Sequence, residues 1–199
     1  SERHFKRLCG KGKSMDKGAG SYRRFLDGDD SGMVEIIRDY KDGLTLYLNS
    51  LTQNIHAAED LMEDTFVKIV VKRPRFSGKC SFKTWLYTIG RNTAIDFLRR
   101  NSKADETALD DLQNLPGGGK SPEQAYIQEE RKIIMHRAMS GLRLEYRQVL
   151  YLAFFEELSN AEIAAVMRKS KRQIENLLYR AKMSLKSELE KEGFLDERL

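Results

Sequence analysis

The chain has 199 residues, a formal charge of +5 and a pI near 9.1, so it holds one large domain or two small ones and suits an acidic partner. Its two cysteines, Cys9 and Cys80, form no CxxC pair, and His4, His56 and His136 are scattered. A disulfide framework, a zinc site and any other metal or cofactor site are therefore not expected. No apolar run approaches the ~20 residues of a membrane span, and the basic N-terminus lacks the apolar stretch of a signal peptide. A reducing cytoplasm is the natural setting.

Helix formers dominate, proline occurs three times and β-branched alternation is rare, which predicts an all-α fold. Residues 1–21 are polar, basic and glycine-containing, and are expected to be disordered. Met15 is a candidate start within them. The GKGKS at 10–14 is no phosphate-binding loop, because Arg7 stands where that motif needs its first glycine. Met33, Ile36, Ile37, Tyr40, Leu44, Tyr47, Leu48 and Leu51 recur at three- and four-residue steps and predict one or two helices over 31–51. Ala58, Leu61, Met62, Phe66, Ile69 and Val70 predict another over 55–73, stopped by Pro74. After a loop at 74–81, a long helix covers 82–100. Residues 101–122, with a Gly triplet between two prolines, read as a flexible acidic linker. Helices follow at 123–142 and 145–155. The expected organisation is a tail (1–21), a domain (22–100), the linker (101–122), a second domain (123–190) and a C-terminal tail (191–199).

Charge is segregated along the chain. Residues 67–103 hold ten Lys/Arg against one acid, and 168–186 hold seven against one. Each is a candidate nucleic-acid footprint. Residues 27–64 and 104–130 are correspondingly acidic, either for solubility or to meet a basic protein.

LSNAEIAAVMRKSKRQIENLLYRAKMSLK at 158–186 reads as a helix-turn-helix. Ser159 or Asn160 caps a first helix, Arg168 and Lys169 make the turn, and Ser170 caps a second. Ile174, Leu177, Leu178, Ala181 and Leu185 form its buried stripe. The other face carries Lys171, Arg172, Gln173, Asn176, Tyr179, Arg180 and Lys182, the residue types that hold phosphates and read base edges. The same pattern also suits an ordinary helical hairpin with a solvated charged face.

In RFSGKCSFKTWLYTIGRNTAIDFLRR at 75–100, cations alternate with aromatics. Lys83, Tyr87 and Arg91 lie four apart on one helix face. Such a stripe suits single-stranded nucleic acid, because cations follow phosphates and aromatic faces stack on unpaired bases. Trp85, Leu86 and Ile89 read as core. A solvated cationic face is the competing reading of the stripe.

Three motifs in order resemble extracytoplasmic-function (ECF, group IV) sigma factors of the sigma-70 family. AEDLMEDTFVKI at 58–69 looks like region 2.2, SFKTWLYTIGRNTAIDFLRR at 81–100 like regions 2.3–2.4, and YRQVLYLAFFEELSNAEIAAVMRKSKRQIENLLYRAK at 146–182 like region 4. The resemblance implies a region 2-like helical bundle and a region 4-like helix-turn-helix joined by the linker. It implies a non-enzymatic initiation factor that binds core RNA polymerase at the largest-subunit coiled coil and the flap. Promoter DNA, duplex and melted, would be its second partner, and an anti-sigma factor its regulator. By carry-over, Asp60, Glu63, Asp64 and Lys68 would bind polymerase. Lys79, Ser81, Lys83, Tyr87, Arg91, Asn92, Arg99 and Arg100 would hold the melted −10 strand. Ser170, Lys171, Arg172, Gln173, Asn176, Tyr179 and Arg180 would bind the −35 element. Three positions depart from the family: Glu63 stands for Gln, Arg143 for Pro, and Arg168 for the turn Gly. The alternative is a stand-alone helix-turn-helix regulator that never joins polymerase.

Overall fold

A computed structural model describes residues 16–104, 135 and 137–191. Among them seven helices carry the fold: α1 (Lys17–Leu26), α2 (Ser31–Thr52), α3 (Ile55–Lys72), α4 (Phe82–Ala104), α5 (Leu144–Phe154), α6 (Asn160–Met167) and α7 (Lys171–Lys191). A helical turn at 137–140 precedes α5, and no strand occurs among the described residues. The all-α expectation is met. The single helix α2 replaces the one or two expected over 31–51. Helix α4 runs four residues into the expected linker. Residues 105–122 of that linker, and most of the helix expected at 123–142, lie outside the described residues.

The disorder expected over 1–21 is corrected at residues 17–21 by α1, while residues 1–15 lie outside the described residues. Asp16 caps this helix, its carboxylate accepting from the Ala19 amide at 3.3 Å and also from the Phe82 amide at the start of α4. Composition misled here because Gly18 and Ser21 are not linker residues but close-packing ones. A Cβ on Gly32 would stand 2.2 Å from the Ser21 carbonyl, so α1 and α2 meet almost backbone to backbone. Tyr22 and Phe25 then bury fully, and the Tyr22 hydroxyl donates to Pro74 O at 2.7 Å.

Helices α1–α4 enclose an aromatic cluster in which Tyr22 and Trp85 lie 5.1 Å apart and Phe82 and Trp85 5.3 Å. Such tilted ring pairs each contribute roughly 1 kcal/mol beyond area burial. Helices α2 and α3 end on the left-handed residues Gln53 and Arg73, and Pro74 follows the second. Helices α5–α7 pack around Val149, Leu150, Leu152, Ile163, Val166, Ile174 and Ala181, all buried.

The two halves share one continuous core. Tyr47 of α2 packs on Tyr151 of α5 with ring centroids 5.8 Å apart. Beside them, buried Arg147 donates from Nε to Ser50 O at 2.9 Å and from Nη1 to Leu142 O at 2.6 Å and Ser140 O at 3.2 Å. Gln53 Nε2 also donates to Ser140 O, at 2.9 Å.

Candidate nucleic-acid interface

The helix-turn-helix is built from two consecutive capping boxes. Ser159 Oγ accepts from the Glu162 amide at 3.4 Å while the Glu162 carboxylate accepts from the Ser159 amide at 3.0 Å. Ser170 Oγ accepts from the Gln173 amide at 3.2 Å, and Gln173 Oε1 accepts from the Ser170 amide at 2.7 Å. Both pairs satisfy amides that a helix start leaves unpaired. Between them Arg168 takes the left-handed conformation, φ 55°, ψ 43°. The turn therefore keeps the geometry that suits glycine even though the side chain is arginine.

This scaffold turns Ile174 and Ala181 inward and half-buries Leu177, Leu178 and Leu185. Ser170, Lys171, Arg172, Gln173, Asn176, Tyr179 and Arg180 are all exposed on α7. Gln173 commits its carbonyl to the cap, which leaves its amide as a donor. A cleft of about 600 Å³ runs beside this row, lined by Arg143, Glu145, Lys169, Asn176 and Arg180 among others. Lys169 Nζ and Glu145 Oε1 pair across it at 2.9 Å.

The second basic face is arranged differently. Lys79, Arg99 and Arg100 are exposed and Asn92 is half-buried. The stripe itself is covered. Lys83 Nζ lies 2.7 Å from Glu156 Oε2 and donates to Glu156 O at 3.0 Å. The Tyr87 ring is 1 % exposed, and its hydroxyl hydrogen-bonds the Glu156 carboxylate. Burial first, and the Glu156 charge second, push the Tyr87 phenol far above its ordinary range. Arg91 Nε donates to Gln148 Oε1 at 2.9 Å, and burial lowers its pKa. Ser81 Oγ and Thr84 Oγ1 donate to Glu162 Oε1 at 3.0 and 3.3 Å. Burial alone raises the Glu162 carboxyl, but the hydrogen bonds from Ser159, Ser81 and Thr84 hold it below the usual carboxylate range. Trp85 and Leu86 are core, as expected, and Ile89 packs partly buried against it.

The third expected group lies on α3. Asp60, Glu63 and Asp64 are exposed, while Lys68 is half-buried and donates to Thr93 Oγ1 at 2.9 Å. Val67, Val70 and Val71 are also exposed, Val71 at 73 %. Val70, expected among the inward-facing residues of this helix, instead joins an apolar strip beside the carboxylates. Gln148, Glu156 and Glu162 were not singled out as partners of α4. Nothing in their own spacing announces a role that depends on a helix some 70 residues away.

Among the described residues no helix is long and apolar enough to cross a membrane, and no group of His, Cys, Asp or Glu is placed to hold a metal ion.

Residues 36–104 match the family model for Sigma-70 region 2, and residues 132–185 match that for Sigma-70, region 4. The chain belongs to the ECF sigma factors of the sigma-70 family. It is 32 % identical over 158 residues to the RNA polymerase sigma factor YlaC of Bacillus subtilis, covering 79 % of this chain and 91 % of that one. The ECF RNA polymerase sigma factor SigM of the same organism is 32 % identical over 165 residues, covering 82 % and 98 %. In fold the chain is similar to the sigma factor RpoE from Bartonella quintana, solved with the anti-sigma factor NepR: TM-score 0.65, 22 % identity, 78 % of this chain and 95 % of that chain. CnrH, solved with the cytosolic domain of CnrY, gives a TM-score of 0.63 at 20 % identity, covering 88 % and 98 %. An ECF sigma factor works with RNA polymerase on promoter DNA, and both halves of this one carry their expected region. A stand-alone regulator would account only for the helix-turn-helix half.

Proposed function

We propose that this ECF factor divides promoter recognition between its two cationic faces and contributes no chemistry of its own. The observation that carries the reading is the exposed row Lys171, Arg172, Asn176 and Arg180 on a helix opened by the Ser170–Gln173 capping box. That row supports a −35 reader seated in the major groove, with Ser170, Gln173 and Tyr179 at its margins. In α4 the run Ser81, Lys83, Tyr87, Arg91 and Asn92, flanked by Lys79, Arg99 and Arg100, is assigned to the melted −10 strand. Its alternation of cations and aromatic rings supports that assignment. Asp60, Glu63, Asp64 and Lys68, with the apolar strip Val67–Val71, are assigned to the polymerase coiled coil. The −10 unit runs from about Lys17 to Ala104, and the −35 unit ends near residue 190. The factor acts where the polymerase is, in the cytoplasm. An anti-sigma protein is its proposed regulator, since the similar sigma factor RpoE from Bartonella quintana was solved with one.

The test uses purified core enzyme and a random promoter library, followed by permanganate footprinting on a selected promoter. Tyr87→Ala combined with Arg91→Ala should abolish the melted-strand signal while −35 duplex binding survives. Loss of both together would contradict the division, and failure of the wild type to direct run-off transcription would remove the reading.

A further inference from the structure

Helix α1 lies outside residues 36–104, which match Sigma-70 region 2, yet it grips the segment that leads into α4. We propose that α1 is a positioning element for the −10 strand: Asp16 and Tyr22 hold the two ends of residues 74–81 and so fix where Lys79 meets unpaired DNA. The inference rests on the −10 assignment above and adds to it two residues that act through this loop.

Residues 74–81 form neither helix nor strand. Ser77, Gly78 and Lys79 are exposed, and the chain turns through Gly78 at φ 65°. At the start of the loop the Tyr22 hydroxyl donates to Pro74 O at 2.7 Å. At its end the Asp16 carboxylate accepts from the Phe82 amide, while its other oxygen accepts from the Ala19 amide at 3.3 Å. One carboxylate thus opens two helices, and an anion suits both N-termini. Ser81 Oγ accepts from a second amide of the first turn of α4, that of Thr84, at 3.2 Å.

Aromatic rings hold the loop between these ends. Phe76 meets Phe82 edge-on at 5.7 Å and Trp85 at 5.4 Å, and Tyr22 reaches the same two rings at 5.6 and 5.1 Å. Gly18 lets α1 come down onto them. A Cβ there would stand 2.5 Å from the Phe82 ring and 2.6 Å from the Tyr40 hydroxyl. A larger residue would push α1 away and take Asp16 out of reach of the Phe82 amide.

The anchoring matters for binding. A free loop would have to order when Lys79 takes a phosphate, and that entropy would be subtracted from the affinity. A loop held at both ends has already lost most of that freedom when the protein folds. The two polar anchors can also be removed while the packing is kept. Tyr22→Phe leaves the ring in its cluster and deletes only the donor to Pro74 O. Asp16→Asn keeps one acceptor for the α1 cap but loses the charge and the second carboxylate oxygen at Phe82.

The test uses full-chain variants assembled with core RNA polymerase. Fluorescence anisotropy measures binding to each labelled single strand of the −10 region of a library-selected promoter, and separately to its −35 duplex. The strand that the wild type binds more tightly is the reporter. Tyr22→Phe and Asp16→Asn should each weaken strand binding about fivefold, the worth of roughly one hydrogen bond, and leave −35 duplex binding unchanged. Lys79→Ala should weaken strand binding too, and Tyr22→Phe added to it should cost less than it does alone, because the cation it positions has gone. Full strand affinity in both anchor variants, with Lys79→Ala still weakened, would overturn the positioning role and leave the −10 assignment standing. An equal loss on strand and −35 duplex, or an undiminished effect of Tyr22→Phe in the Lys79→Ala background, would overturn it as well. Wild-type strand affinity in Lys79→Ala would overturn the proposal through the −10 assignment of this loop.

Discussion

Arg147 is the side chain whose removal should be felt most at the join between the halves. It is 9 % exposed and donates to three carbonyls, Ser50 O, Ser140 O and Leu142 O. In Arg147→Ala, Ser140 O retains the Gln53 amide. Leu142 O and Ser50 O lose the guanidinium. Two lost charge-assisted hydrogen bonds at about 1.5 kcal/mol each, with about 1.6 kcal/mol for two buried methylenes, give a gross cost near 5 kcal/mol. The buried guanidinium itself was costly to desolvate, as its lowered pKa shows, and its removal offsets part of that sum. The expected net loss is about 3 kcal/mol, with Arg147→Lys intermediate because lysine keeps the charge without the fork. Urea unfolding followed by circular dichroism would show the midpoint fall by about 2 M at a slope near 1.5 kcal/mol per M. A change below about 1 kcal/mol would mean that water replaces the guanidinium on Ser50 O and Leu142 O, and the reasoning would fail.

Arg172→Ala should weaken −35 duplex binding by ~1–3 kcal/mol if the side chain grips a base edge in bidentate fashion. A competition assay between promoter variants checks it, and unchanged discrimination removes Arg172 from the reading set. Arg168→Gly should stabilise the C-terminal half by roughly 1 kcal/mol, since a non-glycine residue is strained at φ 55°. An unchanged thermal midpoint would show that the strain is compensated locally. Alkali should destabilise the protein. Burial raises Tyr22 and Tyr40 to about 12 and pushes Tyr47, Tyr87 and Tyr151 higher still. These folded-state values exceed the ~10 of an unfolded tyrosine, so the unfolded chain ionises first and stability is lost as pH rises above about 10. Urea midpoints that stay level across that range would refute the burial of these hydroxyls.

Much of the fold was legible because local signals agreed. Pro74, the apolar spacing of 31–51 and the Ser170 cap each marked a real boundary or face. The departures have local causes too. Gly18 and Ser21 look like linker residues until the Ser21 carbonyl meets Gly32. Val70 has helical spacing with the core residues of α3, yet lies 40 % exposed on the outer edge of that face. The family and its two regions could be read from three motifs, since each depends on residues close together in sequence.

The sequence by itself determined the helices from Ser31 onward among the described residues, the Ser159 and Ser170 caps, and that two cationic faces exist, because periodicity, caps and turns act over a few residues. Only the tertiary structure decided that one face is open and the other covered. Lys83 and Glu156 are 73 positions apart, and Arg91 and Gln148 57. Each charged group is locally consistent with solvent or with DNA. Which of these it meets depends on how α5 and α6 settle against α4, a matter of long-range packing that no short pattern records.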